Sequence, residues 1–343
     1  MKGRRIVLDH VGDAEAAALL VDGRLDDLLI DDETAPRPGA VYRAICDRPL
    51  KGQGGMIVRL PEGETGWLRG AKGLAPGQAV LAQVTGVAEP GKAVPMTDRV
   101  LYKSRYAIVT PGKPGLNLSR QIRDDDARDL LHILAKDGMG GSDMGLILRS
   151  AAEGAPEDDV AEDIAAMRAL AEAVTDDADG PTPEALTEGD GPHALAWREW
   201  DASDIVTEPG GFDRDGVLDA MAELTTPLHR LELGTMFVEA TRALVAVDVN
   251  TGGDTSPAAA LKANLSAVSQ LPRALRLRGF GGQIAVDFAP MPKAHRRQVE
   301  TALRAAFRAD PVETSLVGWT AMGLYELQRK RERAPLARFF KGL

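Results

Sequence analysis

The chain has 343 residues, 44% hydrophobic and 27% charged, an ordinary globular composition that excludes wholesale disorder and, at ~150 residues per domain, allows two or three folded units. Its formal charge of -10, taken whole, argues against a polyanionic partner, but residues 153–190 alone hold thirteen acids against one base, Arg168, and leave the rest at +2. Its single cysteine, Cys46, excludes an intramolecular disulfide and a cysteine-rich zinc site, and reads as a small buried hydrophobe.

No run approaches the ~18 apolar residues of a membrane span. Asp9, Asp13 and Glu15 interrupt what would have to be the apolar stretch of a secretory signal, so a cytoplasmic protein without a membrane partner is expected. Ile6-Val7-Leu8 and Leu28-Leu29-Ile30 read as strands on either side of a turn at Asp22-Gly23. Between Gly39 and about Thr97, short β runs (Val41 to Ile45, Met56 to Leu60, Gly66 to Leu68, Val80 to Val84) alternate with Gly/Pro turns. That spacing predicts a small barrel, with an OB-fold the leading candidate. Arg105 to Thr110 is a further strand, Asp124 to Lys136 an amphipathic helix stopped by Gly138, and Gly145 to Leu148 a strand ending at Arg149-Ser150. Pro156 and the acids after it open another helix; the Asp/Gly/Pro/Thr-rich stretch from about Asp176 to Asp204 reads as a linker or a shortened, irregular region.

The pattern then becomes α/β. Leu244 to Val249 and Ile284 to Phe288 are apolar runs joined by a helix from Pro257 to Arg278, interrupted near Pro272; this is a βαβ unit with parallel strands. Helices are expected over Pro292 to Phe307 and Leu324 to Arg333. Residues 273–341 carry fourteen bases against six acids, a basic quarter that suits a polyanion even in an acidic chain.

Both apolar runs end in the same phrase, Ala246-Val247-Asp248 and Ala285-Val286-Asp287. Equivalent positions of neighbouring parallel strands lie side by side, at the edge where α/β sheets bind ligands. Two carboxylates there repel unless a cation sits between them, and a hard divalent ion such as Mg²⁺ is the simplest answer. Asn250 points to the face of Asp248, and Thr251-Gly252-Gly253-Asp254 forms a turn whose backbone can approach a phosphate. A nucleotide-hydrolase reading fails for want of a GxxxxGK[ST] loop, and the two Gly-x-Gly stretches lack the third glycine of a dinucleotide fold.

These phrases, with Leu275-Arg-Leu-Arg-Gly-Phe-Gly-Gly and Gly323-Leu-Tyr-Glu-Leu-Gln-Arg-Lys-Arg331, resemble the catalytic core of the ribonuclease E/G family of bacterial endoribonucleases. Met1 to Asp31 is similar to the family's opening strands, Gly39 to Thr97 to its inserted OB-fold, and Met144 to Ala152 to its 5′-phosphate sensor. The resemblance implies an α+β multidomain protein: an RNase H-like segment (1–36), an OB-fold β-barrel (37–100), a small α/β 5′-sensor region (101–180), a shortened RNase H-like or linker region (181–230) and a DNase I-like α/β catalytic core (231–343). It further implies cleavage of single-stranded RNA in processing or decay, leaving 5′-phosphate and 3′-hydroxyl ends, with Asp248 and Asp287 as Mg²⁺ ligands and Asn250 holding the geometry. Arg149, with Ser150 and Arg120 nearby, would bind a terminal 5′-monophosphate; Gln121 stands where the family has a second arginine and Ser104 where it usually has glycine. Trp67 would stack an RNA base, Ile57 standing where its companion aromatic belongs. Arg329, Lys330 and Arg331, taken as the end of the last helix, would contact RNA. The family's Cys-Pro-x-Cys zinc link is missing before Leu343, so a zinc-linked tetramer is not expected and a homodimer stays open. Two other readings are an RNA-binding protein that cleaves nothing, and a nuclease of DNA, since the core alone does not choose the sugar.

Overall fold

The computed structural model describes residues 3–50, 52 and 54–340; Lys51 and Gln53 of one expected turn, and Lys341 of the basic quarter, lie outside the described residues. The chain divides into two units, Met1–Asp32 with Trp200–Leu343, and Glu33–Glu199. Three antiparallel strands open the first unit: β1 (Arg4–Val11), β2 (Ala14–Val21) and β3 (Arg24–Ile30). Sequence reading places strands at β1 and β3 but misses β2. Its Ala16 to Leu20 are all buried between two neighbours, so no alternation marks it, and its alanines have low intrinsic strand preference.

The second unit begins with the barrel. β4 (Val41–Leu50), β5 (Gly55–Arg59), β6 (Thr65–Arg69), β7 (Ala79–Val84) and β8 (Val94–Thr97) close through β4–β5–β6–β8–β7 and back from β7 to β4, an OB-like five-stranded barrel around Ala44, Cys46, Val58, Leu68 and Met96. Cys46 is buried as expected, and burial pushes its thiol pKa up. Next comes a four-stranded sheet of β9 (Tyr102–Lys103), β10 (Ala107–Thr110), β11 (Leu116–Leu118) and β12 (Gly145–Leu148), with helices α1 (Asp125–Met139) and α2 (Glu157–Asp176) completing its core. Asp124 caps α1 by accepting from the Ala127 N–H at 2.8 Å. The helix ends at Gly140, in the left-handed region at φ 53°, rather than at Gly138. Gly138 lies within α1, where a Cβ would come within 2.7 Å of Ile164, so it serves a close approach to α2. The stretch read as a linker is also ordered, holding β13 (Glu184–Thr187) and α3 (Pro192–Glu199). β13 pairs with β4, and the Arg43 guanidinium donates to the carbonyls of Asp177 (2.8 Å) and Thr182 (3.1 Å) and to Glu184. A partner more than 130 residues away orders this polar segment, and local composition cannot report it.

Back in the first unit, β14 (Asp204–Val206) pairs in parallel with β1, and the short helices α4 (Gly211–Arg214) and α5 (Val217–Leu224) pack on that sheet. A six-stranded sheet follows, ordered β15 (Leu228–Arg230), β16 (Thr235–Ala240), β17 (Val245–Asn250), β18 (Gly282–Asp287), β20 (Tyr325–Arg329) and β19 (Thr314–Trp319). α6 (Pro257–Leu277) links β17 to β18, and α7 (Lys293–Ala309) leads from β18 to β19. α6 continues through Pro272, where a break was expected. The larger correction is at 324–333, expected as a helix but forming β20. Tyr325, Leu327 and Arg329 are buried and Glu326, Gln328 and Lys330 exposed, the period of two that a strand between β18 and β19 imposes.

Candidate active site

The parallel pair β17–β18 has the expected register, with Val247 opposite Val286 and Asp248 opposite Asp287. Val247, Val249, Ile284 and Val286 point to one face and pack against Ala263, Ala267 and Leu271 of α6 and Val299 and Leu303 of α7. Alternation turns Asp248, Asn250 and Asp287 to the opposite, exposed face, with Gln283, Glu326 and Gln328 on neighbouring positions. Among the described residues neither Asp248 nor Asp287 has a cationic partner. Asn250 donates from Nδ2 to Asp248 Oδ2 at 2.8 Å, which fixes one carboxylate and leaves its other oxygen open.

Neighbouring strands run ~4.8 Å apart, so the like charges of Asp248 and Asp287 are held close on the same face. That donor set suits a hard divalent cation bound by two carboxylates with retained waters. Among the described residues no group of three or more His, Cys, Asp or Glu side chains makes an all-protein cage. After Asn250 the turn through Gly252 (φ 78°) and Gly253 is open, with no atom within 4 Å of where a Cβ would stand at either glycine. Asp254 closes this turn ahead of α6 by accepting from the Ser256 N–H at 2.8 Å, a bond that lowers its pKa.

Asn264 is a positioning residue that sequence reading misses. It is fully buried in α6, donates to the Ala289 carbonyl and accepts from the Ala289 N–H, both at 2.9 Å. The segment leaving Asp287 is thereby tied to the helix. A lone asparagine on an apolar helix face was the available signal.

In the second unit, β11 and β12 are parallel, with Leu118 opposite Leu148, so Arg120 and Arg149 follow the same ends of adjacent strands. Arg120 and Ser150 are exposed. Arg149 is not free: one nitrogen of its guanidinium donates to the carbonyls of Ser104 (2.7 Å), Arg105 (3.2 Å) and Arg198 (3.2 Å), and the other to Glu199 Oε2 (2.6 Å). Glu199 Oε1 also accepts from Lys103 Nζ at 2.6 Å and Arg198 Nε at 2.8 Å. Burial works to raise the Glu199 pKa, but the Lys103 hydrogen bond and the charges of Lys103, Arg149 and Arg198 prevail and hold it at about 2. Burial and the neighbouring arginines lower the Lys103 pKa against the pull of Glu199. Ser104 turns its hydroxyl away, to Asp163 at 2.5 Å. Neither Lys103 nor Glu199 stands out in the sequence, because the cluster is assembled from β9, the residue after β12, and α3.

Trp67 is half-buried on the outside of the barrel, with Ile57 directly opposite it on β5, and its indole N–H has no partner among the described residues. The basic run is dispersed by strand alternation. Arg329 is 1% exposed, donates to Thr314 Oγ1 at 2.8 Å and pairs with Asp310 at 2.7 Å, so the RNA contact expected of it is corrected to an internal ion pair. Lys330 is exposed and pairs with Glu332 at 2.9 Å; Arg331 is half-buried. Asp310 also pairs with Arg276, which reaches Asp27, and Asp27 pairs with Arg333. His229 is held near a pKa of about 4 by burial and by Arg278, Arg273 and Arg24. Among the described residues no helix is long and apolar enough to cross a membrane.

Comparison with known proteins matches residues 102–207 and 205–332 to the model of the Ribonuclease E/G family. The chain is 31% identical over 303 residues to Ribonuclease E of Nostoc sp. (strain PCC 7120), covering 76% of this chain and 44% of that protein. It is 28% identical over 305 residues to Ribonuclease G of Escherichia coli (strain K12), covering 75% and 60% respectively. With Ribonuclease E of the same strain it shares 26% over 302 residues, 75% of this chain and 28% of the relative. The chain spans about half the length of the first of these relatives.

Proposed function

Since this chain belongs to the ribonuclease E/G family, we propose that it is a divalent-metal-dependent endoribonuclease that cleaves single-stranded RNA in processing or decay and leaves 5′-phosphate and 3′-hydroxyl ends. The observation that carries the reading is the exposed, uncompensated pair Asp248 and Asp287, in register on parallel strands, with Asn250 bonded to Asp248. A protein that only bound a polyanion would gain nothing from two bare carboxylates facing it. Asp248 and Asp287 would hold the ion, Mg²⁺ being the expected one. When bound, it supplies Lewis-acid stabilisation of the charge that builds on the phosphate oxygens. Asn250 fixes which Asp248 oxygen is available, and the open turn at Gly252 and Gly253 lets a backbone phosphate come close. The OB-like barrel, with Trp67 on its outside, would stack a base, and Lys330 and Arg331 remain as RNA contacts once Arg329 is set aside. Arg149, with Arg120 and Ser150, would read a 5′-monophosphate. The subdomain assignments, RNase H-like, 5′-sensor and DNase I-like, belong to the same proposal, as does a cytoplasmic setting.

The test is cleavage of a 5′-labelled single-stranded RNA and the matching DNA, with Mg²⁺ or with chelator, by wild type and Asp248→Asn. RNA alone is expected to be cut, only with metal, and only by wild type. Cleavage that persists in Asp248→Asn would remove the metal assignment. Binding without cleavage by clean wild type would make the protein an RNA-binding module, and equal cutting of DNA would remove the sugar preference.

A further inference from the structure

Three cations, Lys103, Arg149 and Arg198, converge on the two oxygens of one carboxylate, Glu199, at 2.6 to 2.8 Å. Such a ring of donors is built for an anion with more oxygens and more charge than a carboxylate, since Arg forks and Lys point charges are the usual partners of phosphate. The Arg149 guanidinium is held in place independently of Glu199, by three backbone carbonyls on its other nitrogen. Its aim therefore survives if Glu199 leaves. Glu199 is the last residue of α3 and its side chain is 31% exposed, so it can swing to solvent without disturbing a core. Arg198 has a second acid, Asp190, that keeps it neutralised in either state.

We infer that Glu199 is a specificity-determining residue: it occupies the place of a phosphate monoester in the Lys103–Arg149–Arg198 cradle, and a 5′-phosphate must displace it to bind. The inference rests on the reading of Arg149 as the 5′-end contact and adds to it a built-in competitor. Displacement replaces one carboxylate by a group carrying up to two charges and three acceptor oxygens, so the exchange is favourable for a monophosphate and has no driving force for a 5′-hydroxyl. The wild-type preference for phosphorylated ends is accordingly weakened by the competitor.

The experiment is binding of a fluorescent single-stranded RNA, 5′-monophosphorylated or 5′-hydroxylated, to the full chain in chelator. Glu199→Gln is expected to bind the phosphorylated RNA about tenfold more tightly than wild type does, with the 5′-hydroxyl RNA unchanged. Adding Lys103→Met to that variant should abolish the gain. If Glu199→Gln matches wild type while Arg149→Ala still removes the preference for the phosphate, the competitor role is overturned and the 5′-end reading stands. If no variant distinguishes the two RNAs, both fall. In a second arm inorganic phosphate should compete only with the phosphorylated RNA; tight phosphate binding by Glu199→Gln with both RNAs bound alike would assign the cradle to the free ion and overturn end recognition. Should Glu199→Gln fail to fold, Glu199→Asp, one methylene shorter, is expected to give a smaller gain of the same sign, and no gain would overturn the proposal.

Discussion

The sheet face around Asp248 and the cradle around Arg149 treat charge in opposite ways. On the first, two carboxylates stand together and exposed, paired with no cationic side chain among the described residues; in the second, three cations close on a carboxylate that the chain itself provides. Charge left bare in a fold marks a place where something else completes the arrangement. Charge already completed looks structural, and its function shows only when one asks which other ligand would fit the same donors.

The contrast can be broken most severely at a third kind of charge, the buried and balanced one. Asp310 pairs with both Arg276 and Arg329; Arg276 keeps Asp26 and Asp27, but Asp310→Asn leaves the buried Arg329 guanidinium without an acid, and is expected to destabilise the fold by about 3–5 kcal/mol in urea titration. The bare pair should respond differently. Asp248→Asn and Asp287→Asn are each expected to lower the cleavage rate by roughly 10²–10³ or more, and the double variant little further, since the two act as one unit. Calorimetry without metal should show either single variant as stable as wild type, or slightly more so, through relief of repulsion.

The cradle gives the smallest effect and a pH signature. Glu199 titrates below its ordinary value, so its stabilisation is complete above pH ~4.5 and is lost as pH falls through about 2. With its partial exposure that contribution is on the order of 1–2 kcal/mol. Glu199→Gln should lack this acid-side loss in melting temperature. An unchanged acid limb would show that the three cations are not coupled to this carboxylate.

Much of this was legible in the sequence where the signal is local. The repeated Ala-Val-Asp gave strand, register and face together, because period-two alternation and a parallel crossover leave little freedom. The barrel followed from evenly spaced β runs and glycine turns. What escaped depends on distant partners. β2 has no alternation to mark it because both neighbours bury it, the 184–187 strand is ordered by Arg43, and Arg329 turns inward because the segment is a strand and not the end of a helix. The Glu199 cradle was invisible for the same reason, since its four residues come from three separate stretches of chain.

The amide at Asn264 has a consequence for what substitutions the protein tolerates. It both gives and takes a hydrogen bond at Ala289, two residues beyond Asp287, on a buried, apolar helix face. Aspartate would lose the donor, leucine both functions, and glutamine would need space that a fully buried site lacks. The alanines around it in α6 are buried too, but they supply packing alone, whereas the placement of one member of the acidic pair hangs on a single polar side chain twenty-three residues earlier in the chain.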